Sequence, residues 1–131
     1  MPLADLFLDT LPYGAHSTAS DALSAGLPLL TCEGATFAGR VAASLLQAAG
    51  VPELVTASLE EYEALALRLA REPSTLAAIK TKLMQNRETS GLFDPRRFCR
   101  QLEAAFTAMW DRHQRGETPA HIEIPKIAGL N

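Results

Sequence analysis

Apolar positions follow two rhythms along this chain. Unbroken runs, Leu6-Phe7-Leu8 between Asp5 and Asp9 and Leu29-Leu30-Thr31-Cys32 after Pro28, read as buried strands, and Leu54-Val55-Thr56 is a third candidate. Between and beyond them apolar residues recur three and four positions apart, the period of a helix with one buried face. Ser17 to Ala25 makes a short helix of small residues around Leu23, stopped by Gly26 with Pro28 beyond. Thr36 is placed to cap a second helix that carries Phe37, Val41, Ala42, Leu45 and Leu46 before the Gly50 stop.

The remainder is helical. Ser58-Leu59-Glu60-Glu61 is a capping box opening a helix with Leu59, Tyr62, Leu65, Ala66 and Leu69 on one face, ending before Pro73. A further helix runs from about Ser74 to Arg87, with Leu76, Ile79 and Leu83 inward, Met84 a further candidate, and Lys80, Lys82 and Arg87 outward. Asp94-Pro95 supplies cap and first position of the longest helix, whose stripe of Phe98, Leu102, Phe106, Met109 and Trp110 reads as core and which Gly116 ends. From Glu117 to Asn131, Pro119, Pro125 and Gly129 leave no period, so this tail drapes over the surface or is loose.

Strand and helix alternate over residues 5–57, which predicts right-handed crossovers and a parallel α/β sheet with the later helices packed around it. Three strands are half of a doubly wound domain. With Phe7–Asp9 as the fourth strand of the standard order, the loop after it lies at the crevice where such sheets bind ligands. The other edge of that strand is then unpaired, so the reading includes a homodimer joined through the strand at Phe7. The division is a lobe over 1–116, with a strand/helix part over 4–57 and a helical part over 58–116, and an extended tail over 117–131.

The loop in question is Tyr13-Gly14-Ala15-His16-Ser17-Thr18-Ala19-Ser20-Asp21-Ala22-Leu23. A strand, a small-residue turn and a helix start make an anion site, because the first amides of a helix lack intrahelical partners and carry the positive end of its dipole. His16, Ser17 and Thr18 would add side-chain donors there. The alternative is a plain strand-to-helix turn in which Ser17 or Thr18 caps the helix and Asp21 completes a capping box.

Composition narrows the classes. Net charge is -3 with Lys and Arg dispersed, and aromatics are only 6%, so neither a nucleic-acid footprint nor an anionic-membrane footprint is present. Cys32 and Cys99 are far apart with no C-x-x-C spacing, so they read as buried thiols of a reducing compartment, without a metal site. Met1-Pro2-Leu3-Ala4-Asp5 has none of the basic and apolar regions of a signal peptide, and no run reaches the length of a membrane span, so the expectation is a cytoplasmic protein. Arg40 points either to the crevice or to solvent, His113 and His121 read as surface residues, and Glu60, Glu61 and Glu63 as cap and surface charges.

Asp5-Leu6-Phe7-Leu8-Asp9-Thr10-Leu11-Pro12-Tyr13, His16-Ser17-Thr18-Ala19-Ser20-Asp21-Ala22-Leu23, Ala25-Gly26-Leu27-Pro28 and Thr36-Phe37-Ala38-Gly39-Arg40-Val41-Ala42-Ala43-Ser44-Leu45-Leu46 resemble the C-terminal catalytic lobe of O-linked N-acetylglucosamine transferases, glycosyltransferase family 41. The resemblance implies part of the Rossmann-like C-terminal lobe of a B-type glycosyltransferase, binding UDP-N-acetylglucosamine (UDP-GlcNAc) as donor substrate without metal or other cofactor. It implies that His16, Ser17 and Thr18 hold the diphosphate and Asp21 the ribose, with no catalytic residue in the matched stretch. Departures are Ser17 for a Thr, Gly14 where many members have Asn, Ala35 for a Glu and Gly39 for a Ser. The family's phosphate-binding Lys, uracil-binding residues, protein-acceptor lobe and helical-repeat array lie upstream of the matched stretch. The function implied is the UDP-binding part of a protein O-GlcNAc transferase, inactive as an isolated piece. The alternative of a different class is a non-catalytic, self-associating fragment with no tight ligand.

Overall fold

The computed structural model describes residues 3–125. Strands β1 (Phe7–Leu8), β2 (Leu29–Cys32) and β3 (Val55–Thr56) form one parallel sheet in the order β1-β2-β3, with Phe7 opposite Leu29 and Thr31 opposite Val55. Helix α1 (Ser17–Ser24) joins β1 to β2, and α2 (Phe37–Ala48), followed by a 3-10 turn at Pro52–Leu54, joins β2 to β3. Helices α3 (Leu59–Arg71) and α4 (Pro73–Arg87) follow β3, and α5 (Pro95–Gln114) is the longest element. This is the expected parallel α/β arrangement, with the third strand shortened because Leu54 closes the 3-10 turn.

β2 is buried at all four positions and is flanked by both other strands, while α1, α2 and α3 all pack on it. Its continuous apolar character therefore reflects burial on both faces. Leu23 of α1, Leu46 of α2, Leu54 of the 3-10 turn, Leu69 of α3 and Leu83 of α4 are fully enclosed around it. Burial of each such side chain contributes about 1.5–3 kcal/mol. α1 and α2 end alike: Gly26 and Gly50 take positive φ, and Leu27 and Val51 donate back to the carbonyls of Ala22 and Leu46 at 2.9 and 3.0 Å. Only glycine adopts that left-handed turn without strain. Asn86 of α4 adds a side-chain cap to the second of these ends, donating to the carbonyls of Ala49 and Gly50 at 3.1 and 3.2 Å.

Several apolar residues assigned inward lie outward. Phe37 and Leu59 stand at the first positions of their helices and are exposed. Leu8 is also exposed, since β1 is an edge strand, and Met84 is half exposed. Cys32 is buried as expected, whereas Cys99 is exposed on α5.

The contacts divide the chain into two compact units, one ending at Phe93 and the other starting at Asp94. In the second, Asp94 caps α5 by accepting from the Arg97 amide at 3.0 Å, and Arg112 donates to the Thr118 carbonyl at 2.7 Å. No side chain of α5 is fully buried, and Phe98, Leu102, Phe106, Met109 and Trp110 are exposed rather than core. A single helix and an extended segment cannot by themselves enclose such a stripe. Residues 117–125 carry no helix or strand, and the rest of the tail lies outside the described residues.

Candidate functional site

In a parallel sheet the loops after all three strands open at one end, where the N-termini of α1, α2 and α3 also point. Two of these helices are closed by side chains. Thr36 accepts from the Gly39 amide at 3.1 Å, and Ser58 accepts from the Glu61 amide at 3.2 Å while Glu61 accepts from the Ala57 amide at 2.9 Å. The third is different. The N-cap of α1 is His16, no side chain caps the helix, and the expected Ser17 or Thr18 cap with its Asp21 box does not form.

The reason lies upstream, in Asp9. Its buried carboxylate accepts from the amides of Thr10 at 2.9 Å and Ala15 at 2.7 Å, which folds the loop back and places the N-cap at His16, one residue before the first hydroxyl. The Ser20 amide then closes the first turn on the His16 carbonyl at 3.1 Å. Ser17 and Thr18 fall inside the helix, where a hydroxyl cannot reach forward to an amide as an N-cap does. Their side chains are exposed, as is that of Asp21, because Ala19, Ala22 and Leu23 occupy the buried face.

The first two turns are locked together. The Gly14 amide donates to the Ala38 carbonyl at 3.2 Å, and the His16 Nε2 lies 3.4 Å from that same oxygen. A Cβ at position 14 would stand 3.1 Å from both the Ala38 carbonyl and the Asp9 carboxylate, so the close approach depends on glycine. Tyr13 stacks on the imidazole of His16 with ring centroids 5.1 Å apart, and Phe37 meets it edge-on at 6.1 Å. Both aromatic rings are largely exposed at the mouth of the turn.

Beneath the loop, Thr31 donates to the second oxygen of Asp9 at 2.7 Å, and the Tyr62 hydroxyl donates to the Asp9 carbonyl at 2.9 Å. Burial pushes the Tyr62 phenol above its ordinary range, with the electrostatic influence of nearby Asp9 and Cys32 adding to the shift. Arg40 is exposed and donates to the Ala35 carbonyl, which holds it on its own turn. His113 and His121 are exposed, and both belong to the second unit.

The arrangement thus gathers His16, Ser17, Thr18 and Asp21 at one uncapped helix end, with amide and hydroxyl donors and an exposed carboxylate on the same helix. Donors of this kind suit phosphate oxygens, and a carboxylate suits a pair of hydroxyls. Among the described residues, no three His, Cys, Asp or Glu side chains are placed to hold a metal ion. Asp9, Phe37 and Tyr62 had no part in the site as read from sequence, and Tyr13 entered only as the first residue of the loop. For Asp9 the available signal was an acid directly after an apolar run and before a Pro/Gly loop.

The sequence pattern of glycosyl transferase family 41 matches residues 2–102. A UDP-N-acetylglucosamine–peptide N-acetylglucosaminyltransferase of Caenorhabditis elegans is 39% identical over 120 residues, covering 92% of this chain and 10% of that protein. A solved structure of a mutant O-GlcNAc transferase of Thermobaculum terrenum superposes with a TM-score of 0.78 at 42% identity, over 86% of this chain and 22% of that one. The chain therefore spans a small part of the proteins it matches, and its three-stranded α/β unit is part of a Rossmann-like lobe. On the extent of the pattern match and the identity to these proteins, the chain belongs to glycosyl transferase family 41.

Proposed function

We propose that this chain is the UDP-binding part of a protein O-GlcNAc transferase, an enzyme that moves N-acetylglucosamine from UDP-GlcNAc to Ser or Thr of acceptor proteins. The observation that carries the reading is the uncapped N-terminus of α1 beside His16, Ser17 and Thr18, in a sheet whose other two helix starts facing that end are capped. In this reading the free amides, the two hydroxyls and His16 hold the diphosphate, and Asp21 accepts from the ribose hydroxyls. The donor is a substrate, and the reading assigns no metal or other cofactor to the site. In this reading the protein acceptor is held by parts of the enzyme outside the matched stretch. Calorimetric titration of UDP into the chain tests the proposal: saturable binding that inorganic phosphate only weakly displaces is expected, and no heat at millimolar UDP would refute it.

A second observation supports self-association. β1 is an edge strand with Leu8 exposed, so the isolated chain has an open template for another strand. The reading is a homodimer joined there, and no helix among the described residues is long and apolar enough to cross a membrane.

A further inference from the structure

Three polar side chains are buried in the described structure: Thr31 in β2, Thr56 at the end of β3, and Asp9 immediately after β1. They form one connected chain. The Thr56 hydroxyl donates to the Thr31 carbonyl at 3.0 Å, the Thr31 hydroxyl donates to Asp9 Oδ2 at 2.7 Å, and Asp9 Oδ1 takes the amides of Thr10 and Ala15. Burying a carboxylate costs several kcal/mol unless its oxygens are well bonded. None of the ion pairs among the described residues involves Asp9, so its charge is met only by these three neutral donors.

We infer that Asp9 is a positioning residue for the diphosphate site, acting through the loop it gathers and not by touching a ligand. The inference rests on the reading of His16, Ser17 and Thr18 as the diphosphate cap. Its bond to the Ala15 amide sets where α1 begins, and so which amides stay free and which way His16 faces. Thr31 and Thr56 tie that carboxylate to β2 and β3, so the loop is referenced to the whole sheet. Because the carboxylate lone pairs are turned to these donors, Asp9 orders the loop without engaging the free amides of α1.

Asp9→Asn removes the charge at constant shape, and Thr31→Val removes one donor. Both are compared with the wild-type 131-residue chain by amide NMR and by UDP titration. Asp9→Asn should move the Ala15, Ser17, Thr18 and Ala19 amide signals, leave those around Leu46 and Leu83 in place, and weaken UDP binding at least tenfold. Thr31→Val should move the same signals by less and weaken binding about threefold. A merely structural role would instead lower the melting temperature and spread shifts through the core with no selective loss of affinity. Unmoved Ala15–Ala19 signals in a folded variant, or wild-type affinity in Asp9→Asn, overturn the inference. If Asp9→Asn does not fold, Thr31→Val decides. If the wild-type chain binds no UDP, the site reading fails and the amide shifts alone decide the role of Asp9.

Discussion

The imidazole of His16 lies nearly parallel to the ring of Tyr13, 14° between planes, while Phe37 meets it edge-on, 83° between planes. A ring with two aromatic neighbours and directed by the Ala38 carbonyl gives up little further freedom when a ligand arrives. Loss of a hydrogen bond in which one partner is charged typically costs about 1.5–3 kcal/mol. His16→Ala and Asp21→Ala should therefore each weaken UDP binding by that order and leave the melting temperature nearly unchanged, since neither side chain belongs to the core. Equal affinity in wild type and both variants would return the loop to a plain strand-to-helix turn.

The helix starts at Thr36, Ser58 and Asp94 and the stops at Gly26 and Gly50 were all legible in sequence, because each depends on residues within one turn. The start of α1 was not. Ser17 and Thr18 satisfy the local capping pattern, but Asp9 decides the matter from outside that window, through the Ala15 amide. Thr31 and Thr56 reach across strands, a link that no local pattern contains. The stripe from Phe98 to Trp110 reveals a face that needs covering without revealing what covers it. Roles for His16, Ser17, Thr18 and Asp21 came from family resemblance; the local pattern alone favoured a plain helix cap over an anion site.

Tyr62 predicts an alkaline limb in stability. Its phenol is raised above the ordinary value by burial and by Asp9 and Cys32, so the folded state favours the neutral form. A raised folded-state pKa gives stability that is complete below about pH 10 and is lost as pH climbs through the folded value. Urea midpoints of the wild type should fall more steeply above pH 10 than those of Tyr62→Phe. At neutral pH the variant should be less stable by about 0.5–1.5 kcal/mol for its lost bond to the Asp9 carbonyl. Parallel alkaline limbs in the two proteins would exclude Tyr62 as the cause.

The 131-residue chain alone should not transfer sugar. Holding donor and acceptor in reactive geometry is worth roughly 7–11 kcal/mol of barrier, and the proposed site engages only the donor. Incubating the pure chain with radiolabelled UDP-GlcNAc and a Ser/Thr peptide should give no product above the buffer control, even where UDP binds. Labelled peptide formed in proportion to protein concentration would place acceptor-binding and catalytic groups within this chain.

The open edge of β1 makes the last expectation specific to one residue. The amides of Phe7 and Asp9 are both spent on β2, donating to the carbonyls of Pro28 at 2.8 Å and Leu30 at 3.0 Å. Successive residues of a strand turn their polar groups to opposite sides, so the backbone of Leu8 faces away from β2. Its side chain is exposed as well, which leaves both a backbone template and an apolar contact at the same point. A two-fold arrangement pairs that edge antiparallel with its own copy and closes the assembly. Light scattering of the pure chain at micromolar concentration should therefore give the mass of a dimer. Leu8→Pro removes the outward donor without touching either bond to β2, and should yield a folded monomer by scattering and circular dichroism. Phe7→Pro makes the contrasting case: it breaks the Pro28 bond, so it should weaken the sheet itself and lower the melting temperature along with association. A wild-type monomer, or a Leu8→Pro variant that dimerises as tightly as the wild type, rules out this edge as the joint.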